Sequence, residues 1–472
     1  MAFSSMPFMC VFLPVVFLLY FILPSLKAKN FMLLLVSLLF YAYGEPVYVF
    51  LMIFCALVNY AVATCFDKCS PEGKKALLIV ALILNIGMLG VYKYAGMAVE
   101  TLNAVTGLSL PVPSIRLPIG ISFFTFQALS YVIDVYRGKV AAEHRFSTIL
   151  LYISFFPQLI AGPIIKYCDV AEQIQHREVT VEKIGEGLRR FIVGLSKKVL
   201  ISNAMGAAAD CVFALSYSEL GMPTAWIGAI AYMMQIYFDF SGYSDMAIGL
   251  GKMFGFTFME NFRYPYVAVS MQDFWRRWHI SLTDWFREYL YIPLGGNRKG
   301  KTRTWINRLM VFFATGLWHG ANWTFVVWGL FHGLFFMLET LFPKMTEKMK
   351  AFRHVYVFLV VCVGFVIFRA DDMGQALMML SVMFTRFEWN ALMASATAAV
   401  CTKLFVFTLL LAAICCLPVN EWLKKRKEAK PDCPLCGTGA EVLSYACSVV
   451  LLLVCIMSLA GGTYNPFIYF RF

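Results

Sequence analysis

Charge is scarce in this sequence. Of 472 residues only 14% are Asp, Glu, Lys or Arg, while 60% are hydrophobic and 16% aromatic. A soluble domain carries about a quarter charged residues, so a water-facing globule is excluded for most of the chain. Long polar linkers, low-complexity tracts and internal repeats are also missing, and residues 1–472 read as a single membrane domain. The 14 cysteines are scattered, mostly inside apolar runs, where Cys acts as a small hydrophobe. Only Cys433-x-x-Cys436 has ligand spacing. With no second pair or nearby histidine it is half a zinc site, so no metal is expected. A Gly-x-Ser-x-Gly elbow is absent too, and nothing else suggests a covalent serine nucleophile.

What the chain has is apolar length. Residues 7–24, 31–43, 47–66, 76–92, 224–238, 322–342, 354–368, 399–417 and 442–460 are apolar runs bounded by charged or Pro/Gly stretches. A spanning helix takes roughly 20 such residues, so the pattern predicts an all-α polytopic membrane protein with about ten to twelve crossings plus half-helices. The run 7–24 has no basic region before it and no small-residue cleavage site after it. It therefore reads as a retained first span rather than a signal peptide. A formal net charge of +12 would suit nucleic acid only as a soluble patch. The basic residues instead sit in short loops, the positive-inside pattern of a bilayer protein. Lys27, Lys29, Lys68, Lys74 and Lys75 then mark cytoplasmic turns, as do residues 261–305 and 422–440, and both termini lie outside.

Two polar insertions interrupt the apolar pattern, at about 166–200 and 261–308. In the second, Ser270-x-x-Asp273 has the form of a capping box. The helix it opens would carry Trp275, Trp278, Leu282, Trp285 and Tyr289 along one broad stripe and lie at the cytoplasmic interface. His279 falls on this helix between Arg276 and Thr283, one turn away on either side. Further on, "TGLWHGANWTFVVWGLFHG" (315–333) keeps His319 and His332 in an almost wholly apolar stretch. An ionisable group at membrane depth is a functional candidate by default, which singles out His319, Asp239, Asp245 and Glu339. Asp239 and Asp245 have hydroxyl neighbours in "FDFSGYSD" that suit a structural role, and Glu339 lies near a helix end from which it can reach the interface.

"DFWRRWHISLTDWFREYLYIPLGGNRKG" followed by "GLWHGANWTFVVWGLFHG" closely resembles the membrane-bound O-acyltransferase (MBOAT) family. "LPIGISFFTFQALSYVIDVYRG" (117–138), "SFFPQLIAGPI" (154–164) and "IYFDFSGYSDMAIGLG" (236–251) resemble it in the same order. "YIPLGGNR" and "NPFIYFRF" are most similar to the alginate O-acetyltransferase branch rather than the lipoteichoic-acid D-alanyltransferase branch. The resemblance implies a multi-pass enzyme of the bacterial cytoplasmic (inner) membrane that moves an acyl group from a cytosolic thioester towards an extracytoplasmic hydroxyl. By motif it implies His319 as the catalytic histidine and His279 as the second, more variable position. It also implies an extracytoplasmic esterase-like or acyltransferase partner.

The chemistry agrees with that implication. A hydroxyl attacking a thioester must lose its proton, and a positioned imidazole typically contributes a factor of about 10² to 10⁴. No bound cofactor is required; an acyl thioester such as acetyl-CoA, or one on a carrier protein, is the co-substrate. Trp318 and Asn322 flank His319 and, with Asp239, are substrate-binding candidates, while Arg276, Arg298 and Lys299 are candidates for the donor's phosphates. His332, set among apolar residues, reads as a satisfied buried ring packing against a neighbouring helix. His319 precedes Gly320, where a small residue gives substrate or backbone room. D-alanyl transfer to teichoic acid shares the histidines but fits the branch motifs less well. A transporter or flippase would show paired repeats with broken helices, and the sequence has none.

Overall fold

The computed structural model describes residues 2–419, 421–422, 438–462 and 464–465. Cys433, Cys436, most of the 422–440 loop and Pro466–Phe472 of the C-terminal motif lie outside the described residues. The described chain is helical and without strands. Among the described residues six helices are long and apolar enough to cross a membrane: Leu26–Gly44, Tyr48–Lys68, Pro71–Thr106, Trp323–Leu341, Phe352–Arg369 and Val442–Ala460. Ala391–Val400 and Lys403–Cys415, bent by 62°, make a seventh if counted as one span. The polytopic all-α class holds, but six or seven long spans is fewer than the ten to twelve crossings expected. Several apolar runs fold instead as shorter helices, Phe8–Ile22, Ile121–Tyr136 and Met373–Thr385 among them.

Helix starts follow local capping chemistry. Ser25 Oγ accepts the Ala28 N–H at 3.2 Å and Ser70 Oγ accepts that of Gly73 at 3.2 Å. These bonds satisfy amides that have no partner inside a helix. Outward faces are apolar, as lipid requires: Phe50, Ile83 and Phe407 are all exposed.

The centre is the 32-residue helix Met222–Met253, buried along most of its length. It packs against Val181–Ser196 through glycines on both sides. A Cβ on Gly187 would stand 2.6 Å from the Gly249 carbonyl, and one on Gly242 would stand 2.7 Å from the Gly194 carbonyl. Small residues allow such backbone approach where lipid gives helices no hydrophobic reason to associate. Beside this seam the charges are paired. Lys198 reaches Asp239 at 2.5 Å, and Asp245 takes Lys197 and Arg190, each at 2.6 Å. Phe191 and Leu195 of the Val181–Ser196 helix, within the first insertion, are core residues.

The second insertion departs further from expectation. Ser270 does cap it, accepting the Asp273 N–H at 3.0 Å, while the Asp273 carboxylate accepts the amide of Val269 at 3.2 Å. The helix is not continuous, however. Met271–Arg277 and Ile280–Phe286 are separate, and His279 between them has φ 45° and ψ 52°. The aromatic stripe is accordingly divided, and Trp275, Trp278, Leu282, Trp285 and Tyr289 are all buried in protein. Trp285 stacks on Phe126 at 3.7 Å between ring centroids.

Candidate active site

His319 is the last residue of the helix Lys301–His319. Gly320 is extended, and the Asn322 side chain caps the next helix, Trp323–Leu341, by accepting the Thr324 N–H at 3.0 Å. Asn322 also donates to the Asp371 carbonyl at 2.8 Å, so this substrate-binding candidate ties the hairpin to the turn after Phe352–Arg369. The two helices turn back on each other with glycines at the crossing. A Cβ on Gly316 or Gly329 would press on the carbonyl of Phe325 or Phe312 respectively. The room at Gly320 is filled by the Phe325 ring rather than left for substrate.

The His319 ring is walled by Trp318 and Trp328, each 5.0 Å away, and Phe368 at 5.2 Å between centroids. The structure brings His279 to it: the two imidazole centroids are 6.4 Å apart. His279 also meets Phe240 at 4.5 Å and Trp318 at 5.7 Å. It is therefore not a surface residue but sits inside beside His319. Its left-handed backbone is costly for a non-glycine residue and such strain collects at functional sites.

Asn261 holds that turn. Its backbone carbonyl accepts the Ile280 N–H at 3.0 Å, and its side-chain oxygen accepts the Ser281 N–H at 3.1 Å and the Ser281 hydroxyl at 2.9 Å. Glu339 anchors the preceding helix, its carboxylate accepting the Met271 and Gln272 amides at 2.6 and 3.1 Å. Rather than reaching the interface, Glu339 is buried and fills the anion position at a helix N-terminus.

The three histidines differ in access. His319 keeps 8% of its surface, against 1% for His279 and 0% for His332. Both ring nitrogens of His279 and of His332 are buried without a hydrogen-bond partner, as is the indole N–H of Trp318. His332 does pack against a neighbouring helix, where Gly364 leaves it space, but it is not satisfied. Phe274, Trp275 and Trp328 surround it with ring faces and edges. Trp328 stands between His332 and His319, touching both.

The cationic candidates do not join this centre. Arg276 is exposed three positions before His279. Arg298 and Lys299 are exposed in the turn before Lys301–His319. Nineteen helical residues at about 1.5 Å each place them roughly 28 Å from His319. Asp239 is engaged by Lys198. A second basic group lies where Ile121–Tyr136 ends: Lys139 and Lys166 pair with Glu288 at 3.2 and 2.9 Å. Burial would raise the Glu288 carboxyl, but the Lys166 and Lys139 ammonium groups hold it below its usual range.

Lys93 was not legible as a site residue. Its ammonium donates to the Trp318 carbonyl at 2.5 Å and the Ser122 hydroxyl at 3.4 Å, and the neighbouring Tyr94 hydroxyl donates to the Leu317 carbonyl at 2.5 Å. The available signal was a lone cation at the end of an apolar run, easily taken for the run's boundary. Among the described residues no group of three or more His, Cys, Asp or Glu side chains is placed to hold a metal ion.

The sequence matches the membrane-bound O-acyltransferase (MBOAT) family over residues 121–383, which contain His279, His319 and His332. It is 38% identical over 504 aligned residues to the probable alginate O-acetylase AlgI of Azotobacter vinelandii, covering 100% of both chains. It is 42% identical to the probable alginate O-acetylase AlgI of Pseudomonas aeruginosa, over 87% of this chain and 80% of that one. It is 36% identical to a peptidoglycan O-acetyltransferase of Helicobacter pylori, over 81% of this chain and 79% of the relative.

Proposed function

The chain belongs to the membrane-bound O-acyltransferase family and is an O-acyltransferase, and we propose that it acetylates hydroxyl groups destined for cell-surface polysaccharide, with His319 as the general base. The observation that carries the assignment of the base is the contrast in access. Of three buried imidazoles in one aromatic centre, only His319 retains an opening, and His279 stands beside it at 6.4 Å. The acetyl specificity is supported by relatives named for O-acetylation of alginate and of peptidoglycan.

In the proposed reaction the acceptor oxygen attacks the thioester carbonyl carbon while His319 takes its proton. The tetrahedral intermediate collapses with cleavage of the C–S bond, and the thiolate leaves with the proton that His319 returns. The apolar walls exclude water, which would otherwise hydrolyse the thioester. His279, its ring 6.4 Å from that of His319 and both ring nitrogens without a hydrogen-bond partner, orients donor or acceptor. The thioester donor, coenzyme A or a carrier protein, comes from the cytosol of a bacterium whose inner membrane holds the enzyme. The described residues form helices and short connections, with no separate strand-built domain to hold a polymer, so an esterase-like or acyltransferase partner outside the membrane completes transfer.

The test is mass spectrometry of wall and exopolysaccharide from a deletion strain, complemented with wild type or His319→Ala. Loss of O-acetyl groups restored by wild type alone supports the reading. Unchanged acetylation in the deletion strain contradicts it. Efficient polymer acetylation by the purified protein alone in liposomes would remove the need for a partner.

A further inference from the structure

Lys198 and Lys93 are both nearly buried lysines within the helical bundle, yet their surroundings differ. Lys198 has Asp239 at 2.5 Å. Lys93 forms no ion pair with a carboxylate among the described residues; its bonds go to a backbone carbonyl and a serine hydroxyl. A buried cation without a carboxylate is expensive, so what it holds is informative.

What it holds is the end of the catalytic helix. The last carbonyls of any helix lack internal partners, and Lys301–His319 stops abruptly as Gly320 turns extended. The closure that a left-handed glycine provides is therefore missing. Leu317 and Trp318 carry two of those carbonyls, and Tyr94 and Lys93 take one each. The positive charge also suits the negative pole of the helix.

The two donors are adjacent in sequence and reach the same helix end from a π-helical turn, Gly90–Tyr94, set between Pro71–Leu89 and Ala95–Thr106. Such wide turns inside helices are frequent at functional sites. Lys93 further ties in Ser122, whose neighbour Phe123 packs on Trp318 at 5.2 Å. Two separate segments thus meet on the residue that precedes His319.

We propose that Lys93, with Tyr94 beside it, is a positioning clamp for His319, fixing where the imidazole stands by holding the carbonyls of the two residues before it. The clamp acts through His319 and so rests on the proposed function. A misplacement of about 1 Å can cost a factor of about 10² in an enzyme.

The experiment uses the full-length protein in liposomes with an acetyl thioester and a soluble hydroxyl acceptor, together with diethyl pyrocarbonate labelling of individual histidines mapped by mass spectrometry. Lys93→Met should lower kcat about tenfold or more with little change in KM for the donor, the pattern of a lost transition-state contribution. Lys93→Arg, which keeps charge and donors, should recover much of the loss. Lys93→Met should also speed carbethoxylation of His319 while leaving His332 unreactive. Should Lys93→Met fail to fold, Tyr94→Phe is read in its place, with a smaller fall in kcat and the same increase in labelling expected. Unchanged kcat and unchanged His319 labelling in the variant read would overturn the clamp, as would an activity loss tracking melting temperature without rescue by Lys93→Arg. If the wild type transfers no acetyl group while the labelling responds as described, the clamp stands and the acetyl-transfer reading fails.

Discussion

Two neighbouring regions differ in how they treat their buried charges and imidazoles. Along the seam of Val181–Ser196 and Met222–Met253, charges are matched: Lys198 with Asp239, and Lys197 and Arg190 with Asp245. In the aromatic centre, His279, His332 and the Trp318 indole are buried with polar atoms unmatched. Each such atom costs about 1–3 kcal/mol, and a chain that satisfies its helix ends so regularly had the means to satisfy these. The difference separates holding from working. Matched charges fix the bundle; under the proposed function the unmatched atoms of His279 and Trp318 meet groups that arrive and leave, while His332, fully buried behind Trp328, only packs.

The largest expected effect sharpens the holding side. Lys198→Met strands Asp239 in the interior and should destabilise the protein by about 3–5 kcal/mol, read as a lower melting temperature in detergent. Pairing it with Asp239→Asn should restore most of the loss. A single variant that melts like wild type would mean this pair is not structural.

The next effect belongs to the working side. His279→Ala removes an imidazole with no partner to strand, so melting should stay close to wild type. Turnover should fall by about 10², the size of a lost positioned acid–base or orienting group. A variant that loses folding and activity together would place His279 with the matched charges instead. The smallest effect concerns neither region. Reversing charge at Arg298 and Lys299 together should raise KM for the donor severalfold with less change in kcat, because phosphate contacts are made equally in the ground and transition states. If kcat falls alone, these residues do something other than bind donor.

Much of this architecture was legible in the sequence because lipid imposes a simple rule: apolar runs of sufficient length become helices. The Ser270 cap, His319 and His279 followed from local pattern and family motif. What could not be read depends on distant contacts. The break at His279 needs Asn261, whose carbonyl and carboxamide reach across from another segment, and no periodicity within 271–289 reports it. Glu339 looked like a surface-seeking acid because the helix N-terminus it caps is 68 residues away in sequence. Lys93 looked like the end of a run because the carbonyl it holds belongs to Trp318. Among the described residues six or seven helices reach spanning length and apolarity, against ten to twelve crossings expected, because several apolar runs fold as shorter helices.

The most direct test of the account sets the two histidines of one hairpin against each other. His319→Ala and His332→Gln, purified in parallel, would be assayed for single-turnover acetyl transfer from the same thioester, with melting recorded for each. The account predicts that His319→Ala loses transfer by a factor of about 10² to 10⁴ or more while still melting near wild type, and that His332→Gln keeps substantial activity. Near-normal turnover by His319→Ala, or a well-folded but inactive His332→Gln, would contradict it.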